Sequence, residues 1–356
     1  MSNQKALIAM SGGVDSSVAA FLMKERGYEC IGATMKLHDN KDEEAKAEKT
    51  CCSLSDVEDA RAVSYKLHMP YYVFNYKNQF EKAVISKFIA SYESGATPNP
   101  CIDCNRFLKF DLLLNRATEL QCDYVITGHY ARVEYNGERY ILKKGIDETK
   151  DQSYVLYFLS QSQLAKIQFP LGEYRKSEIR KIAEENGFVN AAKKDSQDIC
   201  FVPDGDYAKF IESYTGKRYE AGDFVGTNGE VLGKHKGIIR YTIGQRKGLG
   251  ISSDKPLYVC NKNVAENTVT LGSSESLFTS EILADDINLI SVASIKSPIH
   301  IKAKTRYNMK EQPCTVSQID ENHLKIIFDE PQRAITKGQA VVLYDGDVIV
   351  GGGTIK

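Results

Sequence analysis

The segment that most constrains this chain runs from Ala9 to Ser17 and reads AMSGGVDSS. It follows a short apolar run, Ala6 to Ala9, that is typical of a buried strand, and it precedes a helical pattern that ends at Gly27. Gly12 and Gly13 therefore lie in a strand-to-helix turn, where both can take positive φ and let backbone N–H groups converge on an anion. The alternative is an ordinary tight turn, but the pattern around it favours a phosphate-binding loop.

The loop belongs to neither of the two commonest nucleotide-binding types. No lysine follows Gly13, and the Gly-x-Gly-x-x-Gly spacing is missing, which excludes a Walker cradle and a dinucleotide turn. With Ser-Gly-Gly-x-Asp-Ser it resembles the pyrophosphatase-loop (PP-loop) ATP enzymes. The resemblance implies cleavage of ATP between its α and β phosphates and attachment of AMP to a substrate oxygen. It also implies that Asp15 lies close to the phosphates and to Mg²⁺.

The first half of the chain alternates strand and helix patterns. Buried strands are indicated at Cys30–Met35, Tyr71–Phe74 and Tyr124–Thr127, with amphipathic segments between them. This alternation predicts a parallel sheet with helices on both faces. Ligands of such sheets bind at the carboxyl ends of the strands, so the residues after Tyr124–Thr127, including His129, are expected near the nucleotide. The polar stretch from Lys36 to Thr50 is predicted to be a mobile loop.

Length and composition indicate a cytoplasmic protein of two or three domains. The chain has 356 residues, of which 42% are hydrophobic, and no apolar run reaches bilayer length. The N-terminus enters a strand at once, which leaves no room for a signal peptide. Nine cysteines, an odd number, favour reduced thiols over a disulfide framework.

The net charge of -1 conceals two basic stretches. No acidic residue occurs between Glu230 and Asp254, or between Asp286 and Glu311, while cations are frequent in both stretches. Within the second, apolar and cationic residues alternate from Ile299 to Arg306, which predicts a strand with one cationic face. Such a face suits a phosphate backbone, although a solvated surface without a partner is the alternative. The basic residues are Lys234, Lys236, Arg240, Arg246 and Lys247, then Lys296, His300, Lys302, Lys304, Arg306 and Lys310.

A Cys-x-x-Cys pair, Cys101 and Cys104, follows a segment with two prolines. The prolines predict an extended loop, and helical spacing resumes after it, which would put Cys104 at a helix N-terminus beside Arg106 and Lys109. Both effects stabilise a thiolate, so Cys104 is the predicted nucleophile. Zinc binding and a redox dithiol are the rival interpretations, and zinc lacks a second pair because Cys51 and Cys52 are adjacent.

Six separated motifs, in order over essentially the whole chain, resemble the tRNA-specific 2-thiouridylases (MnmA family). They are Thr97 to Pro100 ahead of Cys104-Asn105, Thr127 to Ala131, Lys150 to Tyr154, Asp195-Ser196 with Ile199 to Phe201, Gly244 to Gly250, and Gly351 to Gly353. By itself Cys200 would be interpreted as a buried, inert thiol. The family resemblance implies instead that Cys200 is a reactive thiol.

The family resemblance implies an α/β fold and an architecture. A doubly wound parallel sheet of the PP-loop, adenine nucleotide alpha hydrolase-like type is expected over residues 1–200. A small central tRNA-binding domain is expected over 201–275, and a β-barrel-like domain over 276–356. The activity implied is ATP-dependent replacement of O2 of the wobble uridine of tRNA by sulfur, through an adenylated intermediate and a cysteine persulfide that an upstream sulfur carrier supplies.

The resemblance also assigns residues. Cys104 is the nucleophile, and Cys200 receives the persulfide sulfur. The ATP contacts implied are Ala9, Met10, Ser11, Gly12, Gly13, Val14, Asp15, Ser16, Met35 and Gly128. Those implied for the tRNA, with the first three facing the target base, are Asn99, Pro100, Cys101, His129, Lys150, Asp151, Gln152, Arg306, Tyr307 and Gln339. No resident metal ion is expected apart from Mg²⁺ with ATP.

Cys101 departs from the family pattern, because many relatives carry Asp at this position. The sequence therefore does not identify the residue that accepts a proton in the reaction. A third thiol permits an alternative in which Cys101, Cys104 and Cys200 hold a [4Fe–4S] cluster by three irons. The persulfide route is preferred, with Cys101 a spare thiol. Two further alternatives are a PP-loop ligase acting on a small molecule and an RNA-binding adaptor. The ligase does not explain the three placed cysteines and the two basic β surfaces, and intact Asp15, Cys104 and Cys200 argue against the adaptor.

Overall fold

A computed structural model describes residues 4–38, 54–193, 199–202 and 204–356. Most of the predicted loop Lys36–Thr50, the Cys51-Cys52 pair and the Asp195-Ser196 motif lie outside the described residues. In the described part the helices are α1 (Val14–Glu25), α2 (Leu54–Lys66), α3 (Lys77–Phe80), α4 (Ser86–Glu93), α5 (Pro100–Asp103), α6 (Leu113–Glu119), α7 (Gln161–Leu164), α8 (Lys176–Glu185) and α9 (Tyr207–Thr215). Two π-helical segments, Glu81–Ile85 and Cys104–Leu112, join α3 to α4 and α5 to α6.

The strands of the described residues are short in the first half of the chain and longer in the second. In order they are β1 (Lys5–Ala9), β2 (Glu29–Lys36), β3 (Tyr71–Asn75), β4 (Tyr124–Ile126), β5 (Ala131–Tyr135), β6 (Tyr140–Lys144), β7 (Ile167–Gln168), β8 (Gly222–Gly226), β9 (Val231–His235), β10 (Tyr258–Asn263), β11 (Thr268–Gly272), β12 (Phe278–Leu289), β13 (Ile299–Lys304), β14 (Gln312–Gln318), β15 (Leu324–Arg333), β16 (Ala340–Asp345) and β17 (Val348–Ile355).

The first unit is a parallel sheet in the order β3-β2-β1-β4-β7. Ala6, Leu7 and Ile8 of the central strand β1 are fully buried, as an apolar run covered on both faces should be. Hydrophobic clusters lie on each side: Leu7 belongs to one, and Ala6 and Ile8 belong to the other together with residues of α1, α2 and α8. The predicted doubly wound sheet is confirmed.

The second unit is a small sheet in the order β10-β11-β8-β9, antiparallel except for the β11–β8 pair. Its buried residues Phe224, Val259 and Val269 belong to the same hydrophobic cluster as Leu7 of β1 and Phe88 of α4. The small sheet therefore packs directly against one face of the first unit.

The third unit is a closed barrel. Its strands follow the order β12-β15-β14-β13-β16-β17, and pairing of β17 back to β12 removes both edges. The hairpin β5–β6, which belongs in sequence to the first unit, extends this sheet at β17, where Val348 pairs with Lys143. The domain divisions at residues 200 and 275 stay a prediction, and this hairpin adds two strands from the first predicted domain to the sheet of the third.

Candidate nucleotide and thiol site

The loop after β1 contains one left-handed glycine. Gly12 has φ +75°, and a Cβ there would come within 2.3 Å of the Asp56 carbonyl oxygen, so only glycine fits. Gly13 has φ −89° and is the N-cap of α1. The expectation of positive φ is therefore correct for Gly12 and wrong for Gly13. As an N-cap, glycine offers no side-chain acceptor to the first-turn N–H groups, which leaves them for an anion.

Three serines fix the shape of this loop. Ser16 and Ser17 each donate from Oγ to the Gly13 carbonyl, at 3.0 and 3.1 Å, and the Ser11 N–H donates to Ser16 Oγ at 3.1 Å. These bonds tie the turn to the first turn of α1. The loop is thus preorganised, as a site that holds phosphate by backbone N–H groups needs to be.

Asp15, in the first turn of α1, binds a lysine that belongs to none of the sequence motifs. Both of its carboxylate oxygens lie 2.8 Å from Lys176 Nζ, and its Oδ1 also accepts the Tyr130 hydroxyl at 2.8 Å. Lys176 is the first residue of α8, and only 8% of it is exposed. A buried ammonium therefore lies at the base of the phosphate loop.

Two side chains from the segment after α8 also contact the phosphate loop. Asn190 donates from Nδ2 to the Gly12 carbonyl and to Ser17 Oγ, each at 2.9 Å, and only 2% of it is exposed. Lys193 Nζ lies 3.4 Å from the same Gly12 carbonyl and bridges Asp56 and Asp59 of α2 at 2.7 Å. The only sequence signal for Asn190 and Lys193 is that they are polar residues just ahead of the Asp195-Ser196 motif.

The two other predicted ATP contacts lie beside the loop. Met35 is near the carboxyl end of β2 and is 8% exposed. Gly128 follows β4, and a Cβ there would come within 2.9 Å of the Asp15 carbonyl carbon and of the Ser16 nitrogen. The segment after β4 thus packs against the start of α1, which requires glycine at this position.

The cysteine helix begins earlier than the sequence indicates. Asn99 is the N-cap of α5, its Oδ1 accepting the Cys101 N–H at 3.2 Å, and Pro100 is the first helical residue. The expected extended loop through this segment is wrong, because proline is well suited to the first helical position. The Cys104 N–H donates to the carbonyls of Pro100 and Cys101, so Cys104 lies one turn inside the helix. Cys101, which is exposed, is the thiol of the first turn.

The helix continues from Cys104 as a π-helical segment, which occurs frequently at functional sites. Arg106 forms a bidentate ion pair with Asp286 of the barrel strand β12, which partly neutralises the charge of the guanidinium. Asp103 is 5% exposed and pairs with Lys87 Nζ at 2.6 Å. Ion pairs on either side of Cys104 therefore anchor this helix to the barrel and to α4.

Cys104 and Cys200 are both half-buried and pack against one hydrophobic cluster, which includes Leu7 of β1 and Met35 of β2. Phe201, next to Cys200, makes edge-to-face contacts with Phe80 and Phe88, at centroid distances of 5.6 and 5.2 Å. Two thiols 96 positions apart in sequence are thus fixed to the same core.

His129 lies inside the protein. It is 7% exposed, its Nδ1 is 2.6 Å from Thr127 Oγ1, and its ring packs 5.8 Å from the rings of Phe110 and Phe169. Burial, and secondarily the charge of Lys109, holds the pKa of His129 well below its usual value, so the imidazole is neutral. Its contact with tRNA stays a prediction.

Predicted tRNA contacts from two distant segments meet at the barrel. Tyr307, which is 37% exposed, donates from its hydroxyl to the Asp151 carbonyl at 3.1 Å. Lys304 Nζ lies 5.8 Å from the Tyr307 ring centre and 5.9 Å from that of Tyr154, and burial lowers its pKa. Gln152 is tied instead to the segment between β4 and β5, because its Oε1 accepts the Tyr130 N–H. Lys150 is half-buried.

Arg306 and Gln339 hold main-chain carbonyls. Arg306 Nη2 donates to the Ala334 carbonyl at 2.7 Å, to Thr336 Oγ1 at 2.6 Å and to the Ile243 carbonyl at 3.3 Å. Gln339 Nε2 donates to the carbonyls of Thr97 and Pro98, at 2.8 and 3.2 Å. Gln339 therefore fixes the segment that leads into the cysteine helix.

The predicted cationic strand face is only partly correct. β13 ends at Lys304, so Arg306 is outside the strand, and Lys304 lies among tyrosines. His300 pairs with Asp329, which leaves Lys302 as the exposed cation without an ion pair to a described residue. In the small sheet, Lys234 and Arg240 pair with Asp223 and Glu212. Lys236, Arg246 and Lys247 are exposed.

Among the described residues, no group of three or more His, Cys, Asp or Glu side chains is placed to hold a metal ion. The [4Fe–4S] alternative on Cys101, Cys104 and Cys200 therefore has no support in this geometry. Over the same ranges, no helix has both the length and the apolarity needed to cross a bilayer.

Comparison with known proteins gives matches along the whole chain. Family descriptions match in three parts: a tRNA methyl transferase HUP domain at residues 4–204, a tRNA methyl transferase PRC-barrel domain at 208–273, and an aminomethyltransferase beta-barrel domain at 279–355. The tRNA-specific 2-thiouridylase MnmA of Clostridioides difficile is 51% identical over 99% of this chain and 98% of its own length. That of Acetivibrio thermocellus is 51% identical over 100% of both chains. A solved 4-thiouridine synthetase–RNA complex with bound ATP matches 59% of this chain and 50% of its own, with 18% identity and a TM-score of 0.36, which is too distant to carry an argument.

Proposed function

Because the chain belongs to the tRNA-specific 2-thiouridylase (MnmA) family, we propose that it uses ATP to replace O2 of the wobble uridine of tRNA with sulfur. The observation that carries the proposal is that one chain combines a preorganised phosphate loop with two thiols that pack on the same hydrophobic cluster. Cys104 and Cys200 pack on the cluster to which β1 and β2 contribute, and the loop follows β1 directly. Methyl transfer, which appears in two of the family descriptions, needs neither a phosphate loop nor paired thiols.

In the first step the loop holds the pyrophosphate part of ATP. The first-turn N–H groups of α1 and the buried Lys176 supply positive charge where the leaving pyrophosphate gains negative charge. Mg²⁺ is proposed to join them, since Mg²⁺ sites use one or two carboxylates together with phosphate oxygens, and Asp15 is a carboxylate at this point. Asp15 also keeps Lys176 in place.

In the second step the thiols exchange sulfur. A carrier protein is proposed to load a persulfide on Cys200, and its terminal sulfur attacks C2 of the activated uridine while AMP leaves with the oxygen. The Cys104 thiolate then attacks the Cys200 sulfur, breaks the S–S bond and forms a Cys104–Cys200 disulfide. The sulfur stays on the base, and two external thiols, which become a disulfide, supply the two electrons that return both cysteines to the reduced state. We propose that the reaction takes place in the cytoplasm.

Release of AMP tests the proposal. The purified chain, loaded with persulfide, is incubated with ATP and unmodified tRNA, and AMP is measured with and without tRNA. We expect AMP only when tRNA is present, in an amount equal to the 2-thiouridine formed. AMP release that ignores tRNA, or none at all, would contradict the proposed function.

A further inference from the structure

Lys109 lies on the same helical segment as Cys104. The segment Cys104–Leu112 is π-helical, and the bond from the Leu113 N–H to the Leu108 carbonyl shows its five-residue repeat. In such a helix, residues five apart lie slightly more than one turn apart and so share one side of the helix. Lys109 therefore comes one turn after Cys104, on the side of the helix that Cys104 occupies.

The Lys109 ammonium has no counterion in the described part of the chain. Its side chain is half-buried, yet no described carboxylate lies within ion-pair distance of it. Its neighbours on the helix differ in this respect, since Arg106 pairs with Asp286. A half-buried cation without a partner is costly, because burial removes hydration and nothing replaces it.

The surroundings of Lys109 connect it to the phosphate loop. Phe110, the residue after Lys109, packs its ring 5.8 Å from the ring of His129, and the charge of Lys109 adds to burial in lowering the pKa of His129. His129 directly follows Gly128, and Gly128 packs on the backbone of Asp15 and Ser16. The helical segment of Lys109 therefore contacts the residues after β4 that pack on the phosphate loop, and the same segment begins at Cys104.

In the proposed reaction the substrates must extend from the phosphate loop to the thiol that acts at the base. In the adenylation step the order of atoms is pyrophosphate, α-phosphorus, uridine O2 and then C2, where sulfur is added. We propose that the Lys109 ammonium binds the α-phosphate of ATP and of the adenylated base, an inference that rests on the proposed function. It makes Lys109 a catalytic residue of the adenylation step.

The ammonium would act on the charge that develops in this step. A lone pair of O2 forms the bond to the α-phosphorus, the bond to the bridging oxygen breaks, and its electron pair leaves with pyrophosphate. The N3 proton of the uridine passes to solvent. A fixed cation in a half-buried site stabilises the charged phosphoryl oxygens throughout, and loss of one such contact typically lowers kcat by about 10²- to 10³-fold.

The test compares Lys109→Gln with Lys82→Gln. Lys82 is an exposed lysine of the other π-helical segment, Glu81–Ile85, and forms no ion pair with a described residue, so it is a matched control. Three quantities are measured for each variant: the Kd for α,β-methylene-ATP, the Kd for tRNA without nucleotide, and tRNA-dependent pyrophosphate release. We expect Lys109→Gln to weaken binding of the analogue at least tenfold and to slow pyrophosphate release about 100-fold, with tRNA affinity within twofold of the wild type.

Two results would overturn the assignment. Unchanged affinity for the analogue with unchanged pyrophosphate release would remove Lys109 from the reaction. Weaker tRNA binding with an unchanged analogue Kd would give the ammonium to a phosphate of the tRNA instead. If the wild type itself released no pyrophosphate with tRNA, the proposed function would fail, while the binding measurements would still decide the role of Lys109.

A measurement on the unaltered protein is independent of how the variant folds. Amine acetylation is followed by mass spectrometry of the peptide that contains Lys109, with and without α,β-methylene-ATP. We expect the analogue to lower modification of Lys109 at least fivefold and to leave Lys82 unchanged. Equal modification of Lys109 in both conditions would contradict the proposal.

Discussion

Asp15 binds Lys176 through both carboxylate oxygens, each 2.8 Å from the ammonium, and so joins the first turn of α1 to the first turn of α8. The Lys176 side chain is 10% exposed and that of Asp15 is 30% exposed. The pair is therefore a structural contact at the phosphate loop, and it places an ammonium and a carboxylate beside the first turn of α1. Changes to either partner should affect stability and ATP use separately from tRNA binding.

We expect Asp15→Ala to abolish AMP formation and to lower the free energy of unfolding by about 1 to 3 kcal/mol, because it leaves a buried ammonium unpaired. The double variant Asp15→Ala/Lys176→Met removes both charges and should regain most of that stability without regaining activity. Denaturation by urea and the AMP assay measure the two effects. A tRNA affinity that fell in step with AMP formation would contradict the assignment.

The buried thiols Cys30 and Cys314 should be chemically silent. Burial raises the pKa of Cys30 to about 11 and that of Cys314 to about 12, because it disfavours the thiolate. At pH 8 their thiolate fractions are on the order of one in a thousand or less. Iodoacetamide at that pH, followed by mass spectrometry, should modify the exposed Cys101 and leave both buried thiols intact. Modification of Cys314 as fast as Cys101 would show that the barrel core opens.

Lys302 and Arg306 should respond differently to replacement. Lys302 is exposed, so Lys302→Ala should leave stability unchanged and reduce the log–log salt dependence of tRNA binding by about 0.7 to 0.9. Arg306→Ala should lower the melting temperature, since it removes the donor shared by Ala334, Thr336 and Ile243. An unaltered salt slope in Lys302→Ala would restore the interpretation of a solvated strand.

Lys262 predicts a pH dependence of stability. Its ammonium donates to the Tyr241 carbonyl at 3.0 Å, and burial lowers its pKa from 10.5 to about 8. Between these values the unfolded chain retains a proton that the folded chain has lost, so this group makes the free energy of unfolding rise with pH. Below pH 8 both states are protonated and the folded state bears the full cost of burying the charge.

Lys262→Met should therefore stabilise the protein at pH 7, with a gain that shrinks as the pH approaches 10. Urea midpoints at successive pH values check this, with the exposed Lys236→Met as the control. A gain that was constant with pH would mean that Lys262 titrates normally.

Local signals in the sequence are sufficient to predict the phosphate loop and the parallel sheet of the first unit. Gly12 and Gly13 lie between an apolar strand and a helical pattern, and the structure confirms that arrangement. Sequence alone does not show the start of the cysteine helix, because proline breaks a helix interior but is favoured at the first helical position, which Pro100 occupies.

Contacts between distant segments could not be predicted. Lys176 is 161 residues from Asp15, and no periodicity connects the two. The hairpin β5–β6 carries ordinary strand signals, and nothing in them indicates that it joins the barrel at Val348. The face of β13 was predicted to be cationic, but residue type alone does not show that Lys304 is enclosed by tyrosines.

The central claim is that Cys104 and Cys200 transfer sulfur to tRNA, and the most direct test is mass spectrometry of tRNA nucleosides. The chain, Cys104→Ser, Cys200→Ser and the control Cys122→Ala are each expressed in a bacterium that lacks its own 2-thiouridylase. We predict that 2-thiouridine nucleosides appear with the chain and with Cys122→Ala and are absent with Cys104→Ser and Cys200→Ser. Normal 2-thiouridine levels with either serine variant, or none with the unaltered chain, would contradict the account.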